Sequence, residues 1–111
     1  MRPRLTRELR LETRGGAPDG AGGRQGGWLT LGHHWCECRP SQARLEGGAG
    51  VTRAQVPWRI TLKAVAWGAP SRPRAGQRFV SGERVWSITG VAEAGPRGEW
   101  LVCSATEEDA A

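Results

Sequence analysis

Alternation of apolar and polar side chains is the dominant pattern along this chain, and residues 77–91 carry it most clearly. Two apolar runs, Phe79-Val80 and 85–91, flank Ser81-Gly82, the spacing of a tight hairpin between antiparallel strands. Side chains alternate along a strand, so Trp86 and Ile88 share one face while Val85, Ser87, Thr89 and Val91 share the other. Residues 55–67 form the longest strand candidate. Trp58, Ile60, Leu62, Ala64 and Ala66 fall on one side of it and Arg59, Thr61, Lys63 and Val65 on the other, one dry face and one wet face as in an antiparallel sheet. Pro57 places the start of that strand at an edge or bulge. In 4–13, Leu5 and Leu9 would share a helical face, yet Leu9, Leu11 and Thr13 alternate with Arg10 and Glu12, and a strand is predicted. Residues 28–31 and 34–39 predict two strand segments broken at Gly32, the second ended by Pro40, with His34, Cys36 and Cys38 opposite His33, Trp35 and Glu37. After a linker at 68–76 and a Gly-Pro turn at 92–98, residues 99–105 predict the closing strand, and the acidic tail from Glu107 is expected to fray.

The intervening stretches are of another kind. Residues 15–27 include seven Gly, and 41–53 hold Gly47, Gly48 and Gly50 among Arg44, Glu46 and Arg53. Neither can bury enough to offset its ordering entropy, so both read as loops. With 17 Gly and 7 Pro in 111 residues, short strands joined by turns are favoured over long helices, in a single domain. The predicted class is all-β: a small antiparallel β-barrel or sandwich with two long Gly-rich loops. Six Trp, one Phe and no Tyr mean that a few indoles supply much of the buried area. The expected core anchors are Trp28, Trp35, Trp58, Ile60, Leu62, Phe79, Trp86, Ile88 and Leu101.

Net charge is +5, and all but Lys63 of the 16 basic residues are Arg, suited to forked contacts with phosphate or carboxylate. A plainer reading is a solvated surface with Arg in place of Lys. No run of apolar residues is long enough to span a membrane and the first residues lack the apolar segment of a signal peptide, so synthesis in the cytosol is expected. Three Cys argue against a disulfide framework. His34, Cys36, Cys38 and Cys103 are the one metal-like set, but ligands two apart on a strand diverge, and buried fillers are the favoured role for the thiols. The glycines of 15–27 lack the Gly-Lys-Ser/Thr of a phosphate cradle. His33 and His34 have no nucleophile or orienting carboxylate singled out by spacing, and Glu83, Glu93 and Glu99 read as turn and edge charges. No enzyme and no cofactor are expected.

The order of these pieces resembles the small head-tail joining proteins of long-tailed phages, the head-tail adaptor and head-closure (stopper) proteins, which also occur in phage-like gene transfer agents. The resemblance rests on Leu9 to Glu12; Asp19 with Gly22-Gly23 and Trp28; and a Trp-small-Glu-x-x-Pro strand from Trp35 to Pro40. It continues with Trp58-Arg59-Ile60-Thr61-Leu62, Arg78-Phe79, Gly-x-Arg-Val-x-x-Ile-x-Gly-Val from Gly82 to Val91, and Leu101-x-Cys103 before an acidic end. Departures are Cys36 and Cys38 where small or branched apolar residues are common, and a Gly-rich 41–53 that keeps no clear family pattern.

This resemblance implies a homo-oligomeric ring in the neck of a virion or phage-like particle, with a portal or adaptor protein on the head side and a tail terminator protein on the other. Such a ring extends the channel for packaged double-stranded DNA, closes it after packaging and docks the tail; no membrane is involved. By position, Arg39, Gln42, Arg44, Glu46 and Arg53 mark the candidate channel loop, with Arg44 and Arg53 facing phosphates, and Asp19, Arg24 and Gln25 mark a loop reaching toward a neighbouring ring. The rival expectation is a sequence-independent single-stranded nucleic-acid-binding barrel presenting Trp and Arg; a third is a zinc-stabilised interaction domain.

Overall fold

A computed structural model of the chain describes residues 2–15, 27–41 and 56–108. Six strands form, β1 (Arg7–Arg14), β2 (Trp28–Pro40), β3 (Pro57–Lys63), β4 (Arg78–Ser81), β5 (Arg84–Ala94) and β6 (Trp100–Glu107). Each pairs antiparallel with two neighbours, in the order β1-β2-β3-β6-β5-β4, and β4 pairs back onto β1 to close a barrel. Each strand has a strand partner on both sides, although β2 before Cys36 runs past the end of β3 and β5 after Ser87 runs past β4. The starts of β1, β3 and β5 and the ends of β2, β4 and β6 gather at one end, the lower rim; their opposite ends form the upper rim.

The interior is filled by the inward half of each alternation: Leu9 and Leu11 from β1, Cys36 from β2, Ile60 and Leu62 from β3, Phe79 from β4, Trp86 and Ile88 from β5, and Leu101, Cys103 and Ala105 from β6. Leu31, Cys38, Trp58 and Val91 pack against this cluster from partly buried positions. The two thiols nearest the centre are small fillers, since burial pushes Cys103 up to about 12 and Cys36 higher still, so both stay protonated. Cys38 is also raised by burial, against the opposing charges of Arg7 and Arg84.

Several expectations need correction. Gly32 does not break β2: the strand is continuous, and it absorbs one extra residue where the register with β1 shifts between Leu11 and Glu12. A second bulge, between Ile88 and Gly90, moves Val91 to the core side, opposite Cys103, instead of leaving it on the outer face with Val85. β3 stops at Lys63, so Ala64 and Ala66 are exposed and lie outside the strand. Trp35 is 56% exposed because Cys36 and Cys38 occupy the inward positions of β2, which turns their neighbour out beside Glu8. Trp28 stays outside the core cluster, under the guanidinium groups of Arg14 and Arg78 at 5.2 and 4.0 Å.

The 68–76 stretch is more than a linker, since Arg72 and Pro73 in it are buried. Nor does Glu107 fray. It ends β6 in an ion pair with Arg84, and the Glu108 N–H donates to Val85 O at 2.8 Å.

The hairpin turn falls one residue later than predicted, at Gly82-Glu83, between the paired Ser81 and Arg84. Gly82 has φ +59° while Glu83 keeps a negative φ, the pattern of a type II′ turn, whose twist matches that of the strands. Gly15 N–H donates to Gly27 O at 2.7 Å at the upper rim, and Ser41 N–H to Pro57 O at 2.8 Å at the lower rim. The two glycine-rich stretches are therefore rooted at opposite ends of the barrel, each at a closed neck.

Candidate functional site

Three clusters pair arginines with indoles, two where strands bring together residues far apart in sequence and one on the 64–77 connection. On the outer face near the upper rim, Glu12 is enclosed by Arg10 and Arg78, whose Nε atoms donate to its two carboxylate oxygens at 2.7 and 2.8 Å. Burial alone would raise the Glu12 carboxyl, but the hydrogen bonds and charges of the two arginines outweigh it and hold the group below its usual range. Arg78 then lies over Trp28, so β1, β2 and β4 are tied by one charged and aromatic layer.

At the lower rim, Arg84 sits 5.2 Å from the ring centre of Trp58 and 4.8 Å from that of Trp86. It donates through Nε and Nη2 to both oxygens of Glu107, at 2.7 and 3.1 Å. The two indoles meet edge to face at 5.9 Å. This layer closes the barrel interior from below. Arg84 is the main reason that the Glu107 carboxyl titrates low; the Trp58 N–H contributes less, and it falls short of hydrogen-bond geometry.

The third cluster covers the upper rim. Arg72 donates through Nη1 to Val65 O at 2.7 Å, stacks 3.8 Å from the ring centre of Trp67 and approaches Glu93 at 3.7 Å. Glu99 accepts from the Arg97 N–H in the adjoining turn, which holds its carboxyl low. None of these contacts was visible in the sequence. The signal that existed was local: Arg at alternate positions with Glu in 10–12, and Arg78 and Arg84 flanking the hairpin.

No catalytic arrangement emerges among the described residues. His34 donates from Nε2 to Ser71 O at 2.7 Å, so its ring serves to pin the 64–77 connection to β2. Among the described residues no group of three or more His, Cys, Asp or Glu could hold a metal ion.

Of the channel-loop candidates, Arg39 lies near the end of β2 at the lower rim with its side chain 70% exposed, 3.4 Å from Glu37. Gln42, Arg44, Glu46 and Arg53 lie outside the described residues, as do Asp19, Arg24 and Gln25. Of the expected core anchors, Ile60, Leu62, Phe79, Trp86, Ile88 and Leu101 are buried, Trp58 packs against them, and Trp28 and Trp35 face outward.

The described residues form a small closed barrel with arginine and indole layers at both ends and a charged exterior. A solved chain described as "Virion of native gene transfer agent (GTA) particle" is similar to it along nearly its whole length, with 42% sequence identity, a TM-score of 0.80, and coverage of 99% of this chain and 100% of that one. No curated protein matches. Residues 1–108 match the family described as "Phage head completion protein". With the match running through all six strands, the chain belongs to the phage head completion protein family.

Proposed function

We propose that this chain is a structural neck protein of a phage-like particle, assembling as a ring that joins the DNA-filled head to the tail. The observation that carries the reading is its end-to-end similarity, at 42% identity, to a chain of a gene transfer agent virion. Membership of the head completion family makes it a structural protein and not an enzyme. In this reading the ring extends the DNA channel below the portal or adaptor protein, closes it after packaging and offers the docking surface for the tail terminator protein.

The barrel suits that task. Each strand has a strand neighbour on both sides, so copies of the chain can meet through side-chain faces and loops. The stretches rooted at Ser41 and at Gly15 leave from opposite rims, so one copy can address the channel and a neighbouring ring at once. Arg44 and Arg53 on the first are assigned to the lumen, and Asp19, Arg24 and Gln25 on the second to the ring-to-ring contact.

The single-strand-binding alternative needs a row of open indoles. Among the described residues only Trp35 and Trp67 are largely exposed, on different elements, and Arg72 covers one face of Trp67.

Deleting the gene in its producing cell tests the proposal. Filled or leaking heads and free tails that fail to join, rescued by the wild-type gene, are expected; normal joined particles would refute it. Shortening 47–50 tests the channel assignment separately: DNA is expected to leak from tailless particles, and unchanged retention counts against this loop as the plug.

A further inference from the structure

The register of β2 with β3 places Arg39 directly opposite Arg59 on the outer face, near the lower rim. Both side chains are exposed. Like charges facing each other across a strand pair repel, so the arrangement is unfavourable to the barrel unless an anion lies over it. Two more arginines join them. The segment before β1 runs back along the end of β2, with Thr6 N–H donating to Cys36 O at 3.1 Å and Arg4 N–H to Glu37 Oε2 at 2.9 Å, which sets the exposed side chains of Arg2 and Arg4 beside the same rim.

One carboxylate, Glu37, stands within this group. It is shared between the Arg4 backbone and Arg39, and the latter contact is long at 3.4 Å. Among the described residues, the other acidic side chains of the lower rim are engaged elsewhere or stand apart, with Glu8 across from Trp35. Glu107 is held by Arg84, Glu108 accepts from Ser87 Oγ at 2.6 Å, and Glu83 occupies the β4–β5 turn. Arg59 has no ion pair among the described residues, where Arg10, Arg72, Arg78 and Arg84 all do.

We infer that Arg39 and Arg59, flanked by Arg2 and Arg4, form a binding surface for the phosphodiester backbone of double-stranded DNA. A single carboxylate would relieve one pair of charges. A duplex presents a fixed phosphate charge on each strand about every 3.4 Å of axis and meets several guanidinium groups of one sign together. Arginine forks suit phosphate oxygens, and contact of this kind reads backbone and not sequence. The inference rests on the neck-protein reading for the duplex it invokes, and it adds a surface on the barrel wall itself, outside the loops.

The test is the binding of the full chain to a labelled duplex of about thirty base pairs, followed by fluorescence anisotropy across a salt series. For the R39Q/R59Q variant, the slope of log affinity against log salt is expected to fall by about 0.9 per lost phosphate contact. R74Q/R97Q, which removes two exposed arginines at the upper rim, is expected to leave the slope unchanged. A third variant, Arg59→Glu, turns the repulsive pair into an attractive one, so its Tm should match or exceed wild type while duplex binding is lost; this separates loss of contact from loss of fold. Equal effects of both double variants would overturn the assignment, because binding would then follow net charge alone. So would absent duplex binding by wild type, or capture of an acidic partner protein that R39Q/R59Q abolishes while duplex binding persists. Failure of the neck reading is recognised separately, by normal joined particles in the deletion strain.

Discussion

Glu12 is the residue on which most of the outer charged layer converges. Its carboxylate is enclosed by two guanidinium groups, one on its own strand and one on β4, so its loss leaves both arginines facing each other without a counter-charge. Glu12→Gln is expected to destabilise the protein by about 1–3 kcal/mol, the range for removing a partner of charged hydrogen bonds. The pH dependence follows from the direction of its titration. The folded carboxyl titrates below the unfolded value near 4.5, so its contribution is fully present above that value and is lost as pH falls through the lower folded one. Thermal melts of wild type and E12Q should therefore differ most at neutral pH and converge in acid. Glu107, also held low, titrates in both proteins and cancels from the comparison. A difference that stays constant from neutral pH into strong acid would show that the loss comes from packing and not from the ion pairs.

Among elements, the β4–β5 hairpin shows how far the sequence can be read and where it stops. The pairing of Phe79 with Trp86 follows from apolar runs about a tight turn, and both side chains are buried. What alternation cannot register is an inserted residue. The bulge beside Thr89 reverses the phase of everything after it, which is why Val91 points inward although simple counting sends it out. The same limit applies to β2, where Gly32 looks like a break and is part of a bulged, continuous strand. Trp35 illustrates a different failure: its size argued for the core, while the alternation that placed Cys36 and Cys38 together already excluded it from that face. Contacts such as Arg84 with Glu107 or Arg78 with Glu12 depend on register between distant strands and had no local signal.

The turn of this hairpin yields a direct test. Gly82 has open space around it but a left-handed backbone, so Gly82→Ala is expected to cost about 1–2 kcal/mol through backbone strain alone. Gly90 also has open space and no such conformation, and Gly90→Ala should stay within about 0.5 kcal/mol of wild type. Urea unfolding should show a lower midpoint for G82A with an unchanged slope, and Gly82→Asn should recover part of the loss.

For the whole molecule, closure of the barrel separates what holds the fold from what performs the task. Among the described residues its strands pair with each other, its core comes from all six, and its two rims are covered by arginine layers. The neck at Gly15 and Gly27 is closed by its own hydrogen bond, so replacing 16–26 by a four-residue Gly-Ser linker should leave the barrel folded. A shorter loop has less closure entropy to lose, which adds roughly 1 kcal/mol of stability by the logarithmic dependence on length. The expected outcome is an unchanged strand signature in circular dichroism, a Tm equal to or slightly above wild type, and failure of the shortened chain to restore particle joining in the deletion strain. A shortened chain that unfolds would mean that the stretch belongs to the fold. One that folds and restores joining would move the ring-to-ring contact away from Asp19, Arg24 and Gln25.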